Sequence, residues 1–244
     1  MPDISIQQTE IAVSDGTKMV LHWAAPPQEK NGPGIIVLQE AFGVNSHIRS
    51  IVSRFAALGY WAAAPELFHR TAKNFEAAYT DFPSVQPHMQ AVTQTTIEAD
   101  CRATFDWLKS QRGVLPGKIA AIGFCLGGRA SYIANAALPL SAAISFYGGR
   151  IAPDLLPLAA SQHAPIMLIW GGKDQHNPLS LVRTVANTLS QAGKPHVHVE
   201  FSEGDHGFFC DERKQYNPNA SAEAWALSLS FLKLKWDCEI SLNF

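Results

Sequence analysis

The sequence predicts an α/β protein in which a doubly wound, mostly parallel sheet carries helices on both faces. Short apolar runs that suit strands buried on both sides, such as residues 35–38, alternate along the chain with segments of helical character. Hydrophobic residues make up 47% of the 244 residues and charged residues 16%, which is enough apolar material for a large core without metals or disulfides. Without internal repeats or low-complexity segments, residues 1–244 are expected to form a single domain.

The first half of the chain begins with a predicted hairpin, because strand-like residues 4–13 and 19–23 flank an Asp15-Gly16 turn. Breaker-rich residues 26–34 predict a loop before the buried strand at 35–38. A helix over 46–58 and a strand over 60–64 follow. Residues 68–86 have no clear period, so we expect a cap or an excursion on the substrate side. A long helical region is predicted over residues 89–111.

The second half alternates regularly between strands and helices. Predicted strands cover residues 118–122, 141–146, 165–170 and 196–201. Predicted helices cover residues 126–136, 179–191 and 220–234. Strands separated by single helices are typical of a parallel sheet with right-handed crossovers.

Charge and terminal sequence argue against several classes of partner. The 19 Lys and Arg residues are scattered and nearly balanced by 21 Asp and Glu, so no nucleic-acid partner is expected. Neither a signal peptide nor an apolar run long enough to span a membrane is evident, so we expect a cytoplasmic monomer or small homo-oligomer with no membrane partner. The four cysteines form no C-x-x-C pair and are expected to be reduced thiols.

The strongest chemical signal lies where the strand at 118–122 meets the helix at 126–136. Residues 123–128 read Gly-Phe-Cys-Leu-Gly-Gly, the pattern of a nucleophile elbow with Cys125 in place of serine. Small residues two before and two after the nucleophile keep the strained turn free of clashes. The helix behind Cys125 also points its positive end at the sulfur, which favours a thiolate. The alternative is a glycine-rich turn with an incidental buried cysteine.

A cysteine nucleophile requires a base and a group that orients the base. Asp174 follows the strand at 165–170, and His206 follows the next strand, at 196–201. Both therefore belong to loops at the carboxyl edge of the sheet, where Cys125 is also expected. Asp174 could instead be a capping or turn aspartate, and Asp205 is a local rival for the acid.

The loop after the strand at 35–38 supplies further candidates. This loop is where the elbow fold provides its second oxyanion-hole amide, so the expected donors are the backbone N–H groups of Leu126 and Ala41. Glu40 precedes Ala41 and could accept the thiol proton of Cys125. The alternative for Glu40 is a solvated loop carboxylate.

These segments resemble the dienelactone hydrolase family of the α/β-hydrolase superfamily. The resemblance covers most of the chain and is carried by residues 39–43, 123–128, 171–174, 205–208 and 210–216, and by Ala224-Trp225. It implies an α/β-hydrolase fold and a Cys125, His206 and Asp174 triad. It also implies a Glu40 that exchanges partners with the cysteine when substrate arrives. Members of the family hydrolyse dienelactone to maleylacetate, the carboxymethylenebutenolidase reaction, without metal or cofactor.

One position departs from the family pattern. The best-known members hold the substrate carboxylate with two arginines, one of them four residues after the catalytic histidine, where this chain has Cys210. Arg213 and Arg70 are the candidates to replace that arginine. The predicted substrate-binding residues are these two arginines together with Phe42, Tyr147 and Phe208.

The sequence thus predicts a cysteine-dependent hydrolase of a small ester or lactone, acting through a thioester. A non-catalytic binding protein on the same fold and a redox-sensing thiol protein remain as alternatives, with Cys210 the candidate resolving cysteine. A metal site built from His196, His198, His206 and Cys210 is disfavoured, because no H-E-x-x-H or paired C-x-x-C accompanies them.

Overall fold

A computed structural model describes residues 4–236, and an eight-stranded mixed sheet forms its centre. The strands are β1 Gln7–Ala12, β2 Lys18–Ala24, β3 Gly32–Leu38, β4 Trp61–Pro65, β5 Val114–Phe124, β6 Ala142–Phe146, β7 Ile166–Gly171 and β8 His196–Phe201. Their order across the sheet is β1-β2-β4-β3-β5-β6-β7-β8. The β1–β2 and β2–β4 pairs are antiparallel, and every other neighbouring pair is parallel. The predicted hairpin and the mostly parallel sheet are confirmed.

Residues 4–236 form six α-helices. They are α1 Ser46–Ala57, α2 Phe82–Ala91, α3 Gln94–Ser110, α4 Leu126–Ala137, α5 Leu179–Gln191 and α6 Pro218–Trp236. All of them except α2 pack on the two faces of this sheet. Apolar residues of α1 and α6 form one buried cluster with one set of strand side chains. Apolar residues of α3, α4 and α5 form a second cluster with strand residues such as Leu38 and Leu168, which confirms helices on both faces.

The apolar runs identified in the sequence form the most buried strands. All residues of β7 are buried, as are Ile35, Ile36, Val37 and Leu38 in β3. Side chains point alternately to the two faces of a strand, so a continuous apolar run is needed where helices cover both sides. The carboxyl ends of β3, β5, β7 and β8 therefore meet at one edge of a well-packed sheet.

Two predicted boundaries are wrong. The helical region predicted over residues 89–111 is two helices, because Thr93 is extended and caps the start of α3 in a reciprocal hydrogen bond with Thr96. The loop predicted over residues 26–34 contains a 3-10 turn at Pro27–Glu29, and β3 starts inside it at Gly32. Gly32 pairs with Val114 before a bulge, which extends β3 toward its amino end.

Residues 68–86, which have no sequence period, pack on the loop that follows β3. Gly43 forms an isolated antiparallel bridge with Glu76, and a β-carbon on Gly43 would overlap the carbonyl oxygen of Phe75. Phe42 packs in a small cluster with Tyr79 and Val85. The segment therefore holds the loop that carries Glu40 and Ala41.

No helix of residues 4–236 combines the length and the apolar character that crossing a membrane would need. Cys101, Cys125 and Cys210 are free thiols. Cys238 lies outside the described residues.

Candidate active site

Cys125 occupies the turn between the end of β5 and the first residue of α4. Its backbone has φ 55° and ψ −110°, a conformation that L-residues rarely adopt. The amide of Cys125 donates to the carbonyl of Phe146 at 3.0 Å, which ties the turn to β6. The strained strand-to-helix turn predicted from the sequence is present, and it projects the side chain at the sheet edge.

Two glycines make this turn sterically possible. A β-carbon on Gly123 would overlap the carbonyl oxygen of Gly127. A β-carbon on Gly127 would overlap the carbonyl oxygen of Leu38, at the end of β3. The glycine requirement expected two residues before and two after Cys125 therefore has a direct cause, which is the close approach of backbone to backbone.

Cys125, His206 and Asp174 lie in one hydrogen-bonded line. The Sγ atom of Cys125 is 3.1 Å from His206 Nε2, and His206 Nδ1 is 2.8 Å from Asp174 Oδ2. A carboxylate can only accept, so Nδ1 carries a proton and Nε2 faces the sulfur. Because β5, β7 and β8 are parallel, residues that follow their carboxyl ends can meet at this edge.

A set of fixed donors holds the Asp174 carboxylate. Oδ1 accepts from the amides of His176 at 2.8 Å and Asn177 at 3.1 Å, and Oδ2 accepts from Asn177 Nδ2 at 2.8 Å. Asp174 is thus both a turn aspartate and the partner of His206. Asp205 is not the orienting acid, because its Oδ1 accepts from the backbone amide of His206 at 2.6 Å.

Charge and burial shift the pKa values of this pair in opposite directions. Burial opposes ionisation of Asp174, but hydrogen bonds from His206 and Asn177 outweigh it and lower the carboxyl pKa. Burial likewise opposes protonation of His206, but the charge of Cys125 and the hydrogen bond to Asp174 raise the imidazole pKa to about 10. The surroundings therefore stabilise the imidazolium that forms when His206 also takes a proton at Nε2.

The loop after β3 lies beside the start of α4. Gln39 holds it, since Gln39 Oε1 accepts from the Leu67 amide at 3.0 Å and Gln39 Nε2 donates to the Glu40 carbonyl at 3.2 Å. Leu126 is the first residue of α4, so its amide has no acceptor within the helix. The predicted donors Leu126 and Ala41 are both buried at this edge.

Glu40 is paired with Arg213 rather than with the cysteine. Arg213 Nη1 donates to Glu40 Oε1 at 3.1 Å, and the side chains are 14% and 0% exposed. Glu40 Oε2 is buried without a hydrogen-bond partner. Burial opposes the charge of Arg213, but attraction by Glu40 and then by Cys125 raises the guanidinium pKa. Glu40 is therefore held in a buried ion pair in this structure, and the solvated-loop alternative for Glu40 is wrong.

The other predicted substrate-binding residues divide into two groups. Phe42 lies under the Arg213 guanidinium, 5.9 Å from ring centroid to Cζ, and the Tyr147 ring is 5.2 Å from the His206 ring. Phe208 is fully buried in a core cluster and contacts Tyr147 at 5.6 Å. The structure places Phe42 beside Arg213 and Tyr147 beside His206, whereas Phe208 packs in the core next to Tyr147.

Arg70 lies in a separate ion-pair network. Its two terminal nitrogens donate to Asp100 at 2.8 and 2.9 Å, and Nε donates to Asp15 at 2.7 Å. Both edges of the guanidinium are therefore used by carboxylates of the protein. The prediction that Arg70 binds substrate gains no support from this geometry.

Sequence reasoning missed three side chains that hold the site together. Asn177 hydrogen-bonds Asp174, and Gln39 fixes the loop that carries Ala41. The ring centroid of Tyr79 lies 5.6 Å from Arg213 Cζ and 4.7 Å from the ring centroid of Phe42. Asn177 and Gln39 carried a signal, because each is close to a predicted catalytic residue. Tyr79 carried none, because it belongs to the segment without periodicity.

The four residues considered for a metal do not form the ligand group found in the structure. His196 lies on edge strand β8, and its Nδ1 is 2.9 Å from the carbonyl oxygen of Lys194. His206 belongs to the candidate triad. Among residues 4–236, a cluster of three possible ligands consists instead of His47, Cys210 and Asp211.

The sheet order, the elbow and the converging loops define the class as an α/β hydrolase. A solved acylaminoacyl peptidase from Pyrococcus horikoshii shows the same fold, with a TM-score of 0.72 at 15% identity over 96% of this chain and 42% of that one. The sequence profile of the Dienelactone hydrolase family matches residues 21–235. The chain belongs to this family, and it is a hydrolase that acts on a lactone or ester.

Individual relatives agree with this assignment. Proteins of Synechocystis sp. and Escherichia coli K12 that carry the provisional name carboxymethylenebutenolidase are each 31% identical to the chain. The matches cover 91% of this chain and 94% of the first relative, and 90% of this chain and 84% of the second. A solved protein of Klebsiella pneumoniae, provisionally named a dienelactone hydrolase, has a TM-score of 0.83 at 28% identity, over 94% of this chain and 99% of that one.

Proposed function

We propose that the chain hydrolyses its ester or lactone with Cys125 as nucleophile, His206 as general base and acid, and Asp174 as the group that orients His206. The observation that carries this proposal is the continuous line from Sγ through the imidazole to the carboxylate, with distances of 3.1 and 2.8 Å. Both distances fall within the reach needed for proton transfer between heavy atoms.

In the first step, His206 Nε2 takes the thiol proton and Sγ attacks the carbonyl carbon of the substrate. The carbonyl π electrons move to oxygen, and the backbone amides of Leu126 and Ala41 stabilise the resulting oxyanion. Collapse of this intermediate breaks the C–O bond to the leaving group, which takes the proton from His206. A thioester on Cys125 remains, and in a lactone the leaving oxygen stays part of the same molecule.

In the second step, water attacks the thioester carbonyl. His206 accepts a proton from the water and returns it to the departing sulfur, so the acid is released and the thiol is restored. Asp174 stays ionised throughout, because His206 and three further donors lower its pKa. It keeps the imidazole in the tautomer that presents Nε2 to sulfur.

Glu40 and Arg213 are proposed to line the part of the site that contacts the substrate. The family resemblance implies that Glu40 exchanges partners with the cysteine when substrate arrives. In this structure His206 contacts the thiol and Glu40 contacts Arg213. A substrate carboxylate would compete with Glu40 for the guanidinium, whereas a neutral ester would leave the ion pair intact. Phe42 and Tyr147 are proposed to flank the same space, and the substrate is a small molecule.

The decisive experiment compares wild type with Cys125→Ala and Cys125→Ser on a short activated ester and on dienelactone. We expect turnover by wild type and a loss of kcat of at least about 10³-fold in Cys125→Ala. In wild type, a trapped thioester on Cys125 should be detectable by intact-protein mass spectrometry. Wild-type turnover by Cys125→Ala would refute the nucleophile. Failure of all proteins on both substrates, with Cys125 oxidised reversibly by peroxide, would favour the redox-sensing alternative.

A further inference from the structure

We infer that His47, Cys210 and Asp211 form a binding site for a divalent cation of the zinc and cobalt type, distinct from the triad. One ligand atom from each residue lies within 4.8 Å of the other two. Imidazole nitrogen, thiolate sulfur and carboxylate oxygen together are a donor set suited to borderline-soft divalent ions, and tetrahedral zinc sites with three protein ligands complete their shell with water. None of the three residues belongs to the triad.

The imidazole of His47 is held in place and lacks one partner. Its Nδ1 is 3.3 Å from Asp211 Oδ1, while its Nε2 is buried without a hydrogen-bond partner. The ring is packed edge-on against Phe124 and Phe209, with both centroid distances 6.1 Å. His47 therefore presents Nδ1 to Asp211, and the packing of the ring fixes the direction of that nitrogen.

Cys210 has a neighbour that can support a thiolate. Its Sγ lies 3.1 Å from the hydroxyl of Tyr79, which accepts a hydrogen bond from Asn45 Nδ2 at 2.9 Å. When the cation binds, the thiol proton passes to solvent and a sulfur–metal bond forms. The Tyr79 hydroxyl can then turn its own hydrogen to the sulfur, as the outer partners of metal ligands commonly do.

A cavity open to solvent reaches two of the three residues, His47 and Asp211. Its volume is about 330 Å³, and its lining includes His47, Asp211, Ser50, Arg54 and Tyr216. Arg54 is the positive group in this lining, and its guanidinium lies over the Trp225 ring at 3.9 Å. The carboxylate of Asp211 offsets that charge, and Cys210 adds a second negative charge when its thiol proton leaves on cation binding.

The test is a titration of the full-length protein with Co²⁺, followed by competition with Zn²⁺. A thiolate-to-cobalt charge-transfer band reports sulfur coordination directly. We expect the band in wild type and in Cys125→Ser, its loss in Cys210→Ala, and its displacement by Zn²⁺. Absence of the band in wild type, its persistence in Cys210→Ala, or its loss in Cys125→Ser would overturn the inference, the last by moving the cation to the triad.

The surface ligand provides a matched pair in case a Cys210 variant does not fold. Asp211 is 70% exposed, and the adjacent Glu212 accepts from Ser46 Oγ at 2.7 Å. Asp211→Asn and Glu212→Gln remove the same charge at neighbouring positions. We expect Asp211→Asn to weaken Co²⁺ binding about 10-fold or more and Glu212→Gln to change it less than about 3-fold. Equal losses of Co²⁺ affinity in the two variants would show that general electrostatic attraction holds the cation, and would overturn the proposed site.

Discussion

Replacing Asp174 with asparagine tests the proposed triad most sharply, because the change is nearly isosteric and reverses one hydrogen bond. Four donors converge on the Asp174 carboxylate, from His206 Nδ1, the Asn177 side chain and the amides of His176 and Asn177. An asparagine offers one accepting oxygen and one donating amide, so it cannot satisfy all four.

The arrangement of these donors predicts which bond is lost. If the asparagine oxygen keeps the two backbone amides, its NH₂ group faces His206 Nδ1. The imidazole then has to accept at Nδ1 and carry its proton on Nε2, where it can no longer take the thiol proton of Cys125. A triad histidine in the wrong tautomer loses about 10³- to 10⁴-fold in kcat, or about 4–5.5 kcal/mol of barrier.

The same substitution destabilises the fold modestly. Its NH₂ group would also face the Asn177 side-chain amide, which leaves one buried donor unsatisfied at a cost of about 1–3 kcal/mol. Urea denaturation measures this loss, and kcat is measured at a temperature at which the variant stays folded. Activity and stability can therefore be separated.

Asp205→Asn is the matched control. Asp205 adjoins His206, and its Oδ1 accepts from the His206 backbone amide, so the variant removes a neighbouring charge without touching the imidazole. We expect kcat of Asp205→Asn within about 5-fold of wild type. Equal losses in the two variants, or wild-type kcat in Asp174→Asn, would refute the role of Asp174.

Three further predictions concern charged groups. In Arg213→Gln the carboxylate of Glu40 stays buried and unpaired, so urea denaturation should show a loss of about 3–5 kcal/mol, much of which Glu40→Gln/Arg213→Gln should recover. Arg70→Lys should lower stability, because it weakens the bidentate contact with Asp100, and should leave kcat/KM for the ester unchanged. A changed KM would instead indicate that Arg70 binds substrate. Because the pKa of His206 is raised to about 10, its charged form adds stability that is complete below the unfolded value of about 6.5 and is lost as pH rises toward 10. The stability advantage of wild type over His206→Gln should therefore shrink across that window, and a constant difference would contradict it.

The sequence predicted those parts of the site that depend on short-range pattern and on strand order. The elbow at Cys125 can be read from two glycines at the end of an apolar strand, and the places of Asp174 and His206 follow from counting parallel strands. The assignment of partners within the site could not be read in this way. Whether Glu40 meets Cys125 or Arg213 depends on side-chain geometry across loops far apart in sequence, which no local pattern encodes.

The fold was less predictable where hydrogen bonds between residues close in sequence override the helical pattern. The break between α2 and α3 is set by Thr93, whose side chain and backbone exchange hydrogen bonds with Thr96. Threonine can cap a helix or lie inside one, so the sequence pattern did not fix the position of this break. Tyr79 lies in a segment stabilised by packing on Phe42 and by the bridge at Gly43, and such contacts leave no period in the sequence.

The Glu40–Arg213 ion pair has a further consequence for the proposed reaction. Transfer of the thiol proton to His206 and attack on the carbonyl move negative charge from sulfur to oxygen without changing the net charge of the site. The oxygen is proposed to lie at the Ala41 amide, one residue from the buried carboxylate of Glu40. An unpaired carboxylate there would repel the oxyanion in surroundings that screen charge poorly. Arg213 neutralises it at 3.1 Å, so the ion pair is expected to contribute to kcat as well as to stability, and Arg213→Gln should lower both.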